Sequence, residues 1–288
     1  MANMLSQYGI KEVADVTFYK VENGEIQWDK PQLYLDTLKV STIEQTAENV
    51  SARGGKGNPE LVTWDYNKEI TLTLEDALFS AKSLAFMFGT NAVKNDATGG
   101  TPTVTSMIKV ADVEPDSTEN PSNWIYTRPG KDDNGNAITT TVTTDDIKAY
   151  LLENGEAITT GSNTYGSLSY TKKAFVKTET VEGSAVTTTV KIKGLVIQQT
   201  VTNSYTITID SDKFPGQYAI VGDTFARPQG STKDEMFQFI IYNAKVNSEV
   251  TFTLEAEGDP TTFNMSVRVL KPENDNHMMK LIKYDFGS

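Results

Sequence analysis

Few residues of this chain are placed to do chemistry. His277 is the single histidine, in the polar run PENDNHMMK (272–280). Metal binding or general-base work needs partners at ligand spacing, and with no second His and no Cys the imidazole reads as a surface group. Arg53-Gly-Gly-Lys-Gly57 looks at first like a phosphate cradle, but its Lys is followed by Gly-Asn-Pro rather than by Ser or Thr opening a helix. The bland reading is a flexible hairpin tip; the more specific one, favoured here, is a basic, mobile arm reaching an acidic neighbour. Lys131-Asp-Asp-Asn-Gly-Asn136 hints at a calcium loop, yet with Asp132 first there is no Gly at the sixth place and no Glu at the twelfth. Asn134-Gly135 is better read as a hairpin turn. Glu75-Asp76 and the pair Glu255, Glu257 are the only candidate catalytic carboxylates, and no base, nucleophile or Gly-rich elbow accompanies them. No catalytic residue, metal site or cofactor is expected.

The elements that carry these glutamates are more informative. Residues 69–77 read EITLTLEDA and 249–257 read EVTFTLEAE, identical at five of nine positions. Ile70, Leu72 and Leu74 alternate with Glu69, Thr71, Thr73 and Glu75; Val250, Phe252 and Leu254 alternate with Glu249, Thr251, Thr253 and Glu255. A period of two with one apolar and one polar face is the pattern of a half-buried strand. Strands are expected near 33–50, 60–76, 103–113, 168–181, 185–193, 195–209, 217–226, 236–247, 249–257, 261–270 and 279–285. Two short helices are expected. One spans 80–89, capped by Ser80 and stopped by Gly89. The other spans 144–153, opened by Thr144 and two Asp and closed by Asn154-Gly155. The fold class is mainly β.

The 288 residues suffice for one large or two ordinary domains. With 38% hydrophobic and 22% charged residues the chain is expected to fold as a globular protein, and without cysteine it has no disulfide or thiolate site. No run approaches the ~18 apolar residues of a membrane helix. The start, MANMLSQYGIKEVADV, has neither the basic opening nor the apolar middle of a signal peptide, so cytoplasmic origin is expected. On the same ground the triplets Asn49-Val-Ser and Asn264-Met-Ser are read as chance glycosylation matches. The net charge of −12 opposes a grip on nucleic-acid phosphates. Trp28, Trp64 and Trp124 are scattered rather than interleaved with basic residues, so they suit core or interface packing better than base stacking. Composition shifts to Thr, Ser, Gly, Asn and Asp over about 91–190, in stretches such as DDNGNAITTTVTT. The expected organisation is a β core from 1–96 and 205–288, with 97–204 a β-rich, loop-rich insertion.

Two blocks carry a family resemblance. The first is TIEQTAENVSARGGKGNPELVTWDYNKEITLTLEDALFS (42–80). The second comprises FQFIIYNAKV (237–246), TFTLEAEGDPTTF (251–263) and MKLIKYDF (279–286). Together, over about 33–90 and 205–288, they resemble the tail tube proteins of contractile-tailed bacteriophages. The resemblance implies a tail-tube-type β-sandwich or barrel. It implies hexameric rings stacked into an inner tube, with a sheet of each subunit joining a continuous inner barrel. Its partners would be further copies of itself, the tail sheath, the tape measure and the baseplate or terminator proteins. DNA would pass transiently and without specificity, and the tube would sit in the virion after assembly in the host cytoplasm. A long loop is implied that reaches a neighbouring subunit. Segment 49–63 fits it, with Arg53, Gly54, Gly55, Lys56, Gly57 and Asn58 at its tip. The polar rows Glu44, Glu48, Glu69, Thr71, Thr73, Glu75, Thr251, Thr253, Glu255 and Glu257 would line the lumen, an acidic and Thr-rich bore along which DNA slides. Competing readings are a non-contractile tail tube, a phage-derived contractile particle, a secretion-system tube, a β-rich glycan-binding or adhesion module, and, last, a hydrolase using the acidic pairs.

Overall fold

The structure, a computed structural model, describes residues 7–95, 101–119, 121–159, 165–201, 204–250, 262–273 and 275–284. The chain opens with β1 (Tyr8–Ile10), β2 (Asp15–Glu22), β3 (Glu25–Leu35), β4 (Leu38–Arg53) and β5 (Glu60–Asp76), then α1 (Ala81–Met87) and β6 (Ala92–Asn95). It continues through β7 (Thr103–Lys109), β8 (Val113–Pro115), β9 (Trp124–Lys131), β10 (Ala137–Val142), β11 (Ile147–Leu152), β12 (Ala157–Ile158), β13 (Tyr165–Ser169), β14 (Ala174–Val181) and β15 (Ser184–Thr200). It closes with β16 (Ser204–Ile207), β17 (Gln217–Pro228), β18 (Glu235–Val246), β19 (Phe263–Val269) and β20 (Met279–Tyr284). Two compact units result, Met1–Val93 with Tyr205–Ser288, and Lys94–Ser204. Strands β6 and β16 pair as a separate two-stranded sheet.

The first unit is one nine-stranded antiparallel sheet in the order β3-β2-β17-β18-β19-β5-β4, with β1 continuing beside β17 and β20 beside β18. Its core draws on both ends of that order. Leu33 and Leu35 of β3 join Leu38 of β4 and Leu72 and Leu74 of β5, around Phe18, Ile241, Val267 and Phe86 of α1. A sheet whose two ends share one core is curled around it, as its twist allows. The expected single strand 33–50 is broken at Asp36-Thr37. There the Thr37 hydroxyl donates to the buried Asp76 carboxylate at 2.5 Å and the Ala77 N–H donates to the Thr37 carbonyl at 3.1 Å. The corner turns the chain from one end of the sheet to the other.

The helix expected at 80–89 is α1. Ser80 and Ser83 cap each other reciprocally, the Ser83 N–H on Ser80 Oγ at 3.0 Å and the Ser80 N–H on Ser83 Oγ at 2.8 Å. At its end Gly89 has φ +68°, while its N–H donates to Phe86 O and the Thr90 N–H donates to Ala85 O, which closes the helix in the left-handed manner glycine allows. A Cβ at Gly89 would also stand 2.2 Å from the Phe214 carbonyl carbon.

The second unit has its own core, with Trp124, Val113, Leu152, Ile192 and Leu195 fully buried. A six-stranded sheet, β12-β11-β15-β14-β13 with β7 also on β15, accompanies a three-stranded sheet, β10-β9-β8. The helix expected at 144–153 is not there. Asp146 accepts the N–H and the hydroxyl of Thr143, each at 2.8 Å, and Ile147–Leu152 then runs as strand β11 against β15. Thr-Asp chemistry caps turns as well as helices. A ladder irregularity between Ile147 and Ala149 lets Ile147 and Tyr150, three residues apart, both be buried in a strand. So short a segment has little helical stability to set against a full ladder. Strands expected separately at 185–193 and 195–209 are one strand up to Thr200, running through Gly194, where a Cβ would meet the Ile108 carbonyl of β7 at 2.9 Å. The stretch 168–181 is instead a hairpin, β13 and β14, turning at Lys173 with φ +49°.

Candidate assembly surface

The β4–β5 hairpin is much longer than the sheet that holds its base. Between Thr42↔Thr73 and Gln45↔Ile70 it belongs to the curled sheet, where Ile70, Leu72 and Leu74 face the core. On its far side β5 pairs with β19 only from Thr71 to Asp76. Beyond Glu69 the two strands pair only with each other among the described residues, through Glu48↔Tyr66, Val50↔Trp64 and Ala52↔Val62 to Arg53↔Glu60. The segment expected as a reaching loop at 49–63 is therefore mostly a hydrogen-bonded arm, and only Gly54–Pro59 form the turn. There Gly55, Gly57 and Asn58 take φ of +83°, +86° and +50°, and the Asn58 N–H donates to Gly55 O at 3.1 Å.

The arm has two unlike sides. Directly opposed residues of an antiparallel pair project to the same side, and alternate residues of one strand do so too. Val50, Ala52, Val62, Trp64 and Tyr66 therefore share one side. Asn49, Ser51, Thr63 and Asp65 share the other. The polar side is internally bonded: the Ser51 and Thr63 hydroxyls both donate to Glu60 Oε1, and Arg53 pairs with Glu60 at 3.3 Å. The hydrogen bonds from Ser51 and Thr63 hold the Glu60 carboxyl below its ordinary range. The apolar side has no such partners among the described residues, and Val50, Val62, Trp64 and Tyr66 are each 47–56% exposed.

A β-bulge sets which side is which. Between Thr46↔Glu69 and Glu48↔Tyr66, β4 advances two residues and β5 three, and Asn67 takes up the extra residue at φ +51°. In sequence the apolar residues 62, 64, 66, 70, 72 and 74 keep one phase. In space the first three lie on the side opposite the last three. This inversion is invisible to a period-two reading, and its only sequence trace is an Asn between Tyr66 and Lys68, a residue that tolerates the left-handed region.

The polar row expected on β4 and β5 shares one side of the sheet base. Glu44 stands opposite Thr71, Thr42 opposite Thr73, Thr46 opposite Glu69 and Val40 opposite Glu75. Strand β19 adds Asn264, Ser266 and Arg268 to the same side, and Arg268 is ion-paired with Glu69. The row is therefore of mixed charge, a feature that sequence spacing alone missed because Arg268 lies 199 residues from its partner. Glu48 lies past the bulge, on the arm opposite Tyr66. Thr251, Thr253, Glu255 and Glu257 lie outside the described residues.

Of the remaining candidates, Asp132 is engaged by its own turn: its carboxylate accepts the N–H groups of Asn134 at 2.9 Å and Asn136 at 2.7 Å, in the hairpin joining β9 and β10. The backbone N–H of Asn136 holds it below its ordinary range. His277 is exposed, with Nδ1 2.5 Å from Asp275. Among the described residues no group of three His, Asp or Glu could hold a metal.

Among the described residues the first unit thus combines a curled antiparallel sheet, an exposed amphipathic arm and strand edges at β3 and β4 that pair on one side alone. A family model described as the YomU/Tube protein family matches residues 8–194 and, in a second overlapping match, 132–283, and the chain belongs to that family. It is a phage tube protein, with a structural role. No curated protein matches the chain.

Proposed function

We propose that the chain is the subunit of a phage tail tube, assembling into stacked hexameric rings through which DNA passes on ejection. The observation that carries this reading is the β4–β5 arm, which presents a half-exposed apolar ladder of Val50, Val62, Trp64 and Tyr66. Its occupant is a second copy of the chain. The ladder exposes on the order of 400 Å² at half exposure, since side chains of the larger aromatic kind present about 150–250 Å² each. A patch of that size is at the upper end of what a lone chain exposes, and about half of the roughly 800 Å² per partner of a stable contact. The edges supply the rest. Among the described residues β4 pairs only with β5 and β3 only with β2, so two strand edges at the ends of the sheet stand open. Open edges invite strand addition from another chain, and ring closure satisfies them.

In this reading the arm docks by its apolar side. Arg53 is committed to Glu60 within its own hairpin, so a basic tip reaching for an acidic neighbour explains the arm less well. The row Glu44, Thr71, Thr73 and Glu75 faces the lumen, with Glu69 neutralised by Arg268. A polar wall of low affinity for phosphate lets DNA slide. The tail is contractile in this proposal, on the sequence resemblance, and the sheath, tape measure and baseplate or terminator proteins are its further partners.

Negative-stain microscopy of the purified chain tests the reading. Rings or tubes with a central hole are expected, together with their loss in Trp64→Glu. A chain that stays monomeric at all concentrations overturns it. Rings that persist in Trp64→Glu place the contact elsewhere on the molecule.

A further inference from the structure

We infer that Asn67 is the residue that sets the register of the arm and so brings the apolar side chains of both strands onto one docking face. The inference rests on the reading that the arm docks on a second copy. At the base of the hairpin the pairing runs Gln45↔Ile70 and Thr46↔Glu69. Continued without interruption, that register would set Tyr66 opposite Asn49 and Trp64 opposite Ser51. Trp64 and Tyr66 would then share a side with two polar residues, and Val50 would stand opposite Asp65. The observed pairing is shifted by one residue, Tyr66 with Glu48 and Trp64 with Val50, and the shift is absorbed where Asn67 sits at φ +51°.

A slip of one residue moves a whole strand's side chains to the other face. Neither register is dictated by a core, because the arm is exposed on both sides and Asn67 itself is exposed. The left-handed conformation of one residue therefore decides between one apolar ladder and two mixed faces. Asn and Gly adopt that conformation readily, whereas a β-branched residue does not.

Three variants and a cross-link test this. The chain has no cysteine, so the pair Asn49→Cys and Asp65→Cys, which are direct partners in the observed ladder, forms a disulfide on oxidation in this register and not in the slipped one. Asn67→Gly is expected to cross-link and to assemble as the parent does. Asn67→Ile is expected to lose most of both. Deletion of Asn67 removes the extra residue, leaves Tyr66 opposite Glu48 in an uninterrupted ladder, and is expected to restore both. A variant that merely weakened the fold would not be rescued by a deletion at the same place. Full cross-linking in Asn67→Ile overturns the register assignment. Cross-linking lost with assembly intact overturns instead the docking reading beneath it.

Discussion

Val50 and Trp64 stand directly opposite each other across the β4–β5 ladder, on the side of the hairpin turned away from Ile70 and Leu72. The pair is half exposed, whereas Leu72, eight residues from Trp64, is fully buried. One hairpin thus has two surfaces: its base seals a core and its arm carries an exposed apolar ladder.

Truncating that ladder should separate assembly from folding. Trp64→Ala removes a central aromatic of the arm, and buried aromatic anchors at interfaces cost about 2 kcal/mol or more on truncation, so self-association should weaken at least roughly 30-fold in sedimentation. Thermal unfolding of the dissociated chain should change little, because Trp64 makes no part of the core. Arg53→Ala should alter association less than roughly threefold, as expected for an exposed pair already formed within one chain.

Gly89→Ala tests the closure of α1. The substitution forces a side chain into a left-handed backbone and against the Phe214 carbonyl. A loss of about 2 kcal/mol or more is expected in urea unfolding. Gly55→Ala is the control. Gly55 has φ +83° with no atom near its missing Cβ, so only the backbone cost of about 1 kcal/mol remains.

The second unit should weaken in acid through Asp116. The N–H groups of Asn123 and Ser122 hold its carboxyl below the ordinary 3.8. Ser122 donates its N–H at 2.9 Å and Asn123 its side-chain amide at 3.0 Å. A depressed folded-state value gives stability that is present above the unfolded value and lost as pH falls through the folded one. Asp116→Asn should therefore unfold at lower urea than the parent at pH 7, and the two should converge as pH drops below 3.8. In a Trp28→Phe, Trp64→Phe background, the fluorescence of the fully buried Trp124 reports this unit alone.

Charge on the polar row tests the lumen. With Glu44→Lys and Glu75→Lys together, rings should still form, since neither side chain lies on the apolar ladder, while DNA release from particles should slow and become strongly salt-dependent. Unchanged release would place that face away from the DNA path.

The sequence by itself determined the class of the fold. Alternation at Ile70, Leu72 and Leu74 requires a half-buried strand in any fold, the Ser80 and Gly89 pair marks a short helix by local bonding, and the absence of cysteine and of a second histidine removes whole chemistries. These are properties of neighbours in the chain. Tertiary structure decided the rest. The segment 147–152 is a strand because β15 offers a ladder that a lone helical turn cannot match. Glu69 is neutralised by Arg268 because β19 lies beside β5. Trp64 and Leu72, in phase along the sequence, face opposite ways because one left-handed residue, Asn67, lies between them. Periodicity tells which residues share a face only while the backbone stays regular, and a bulge inverts the faces without breaking the alternation along the sequence.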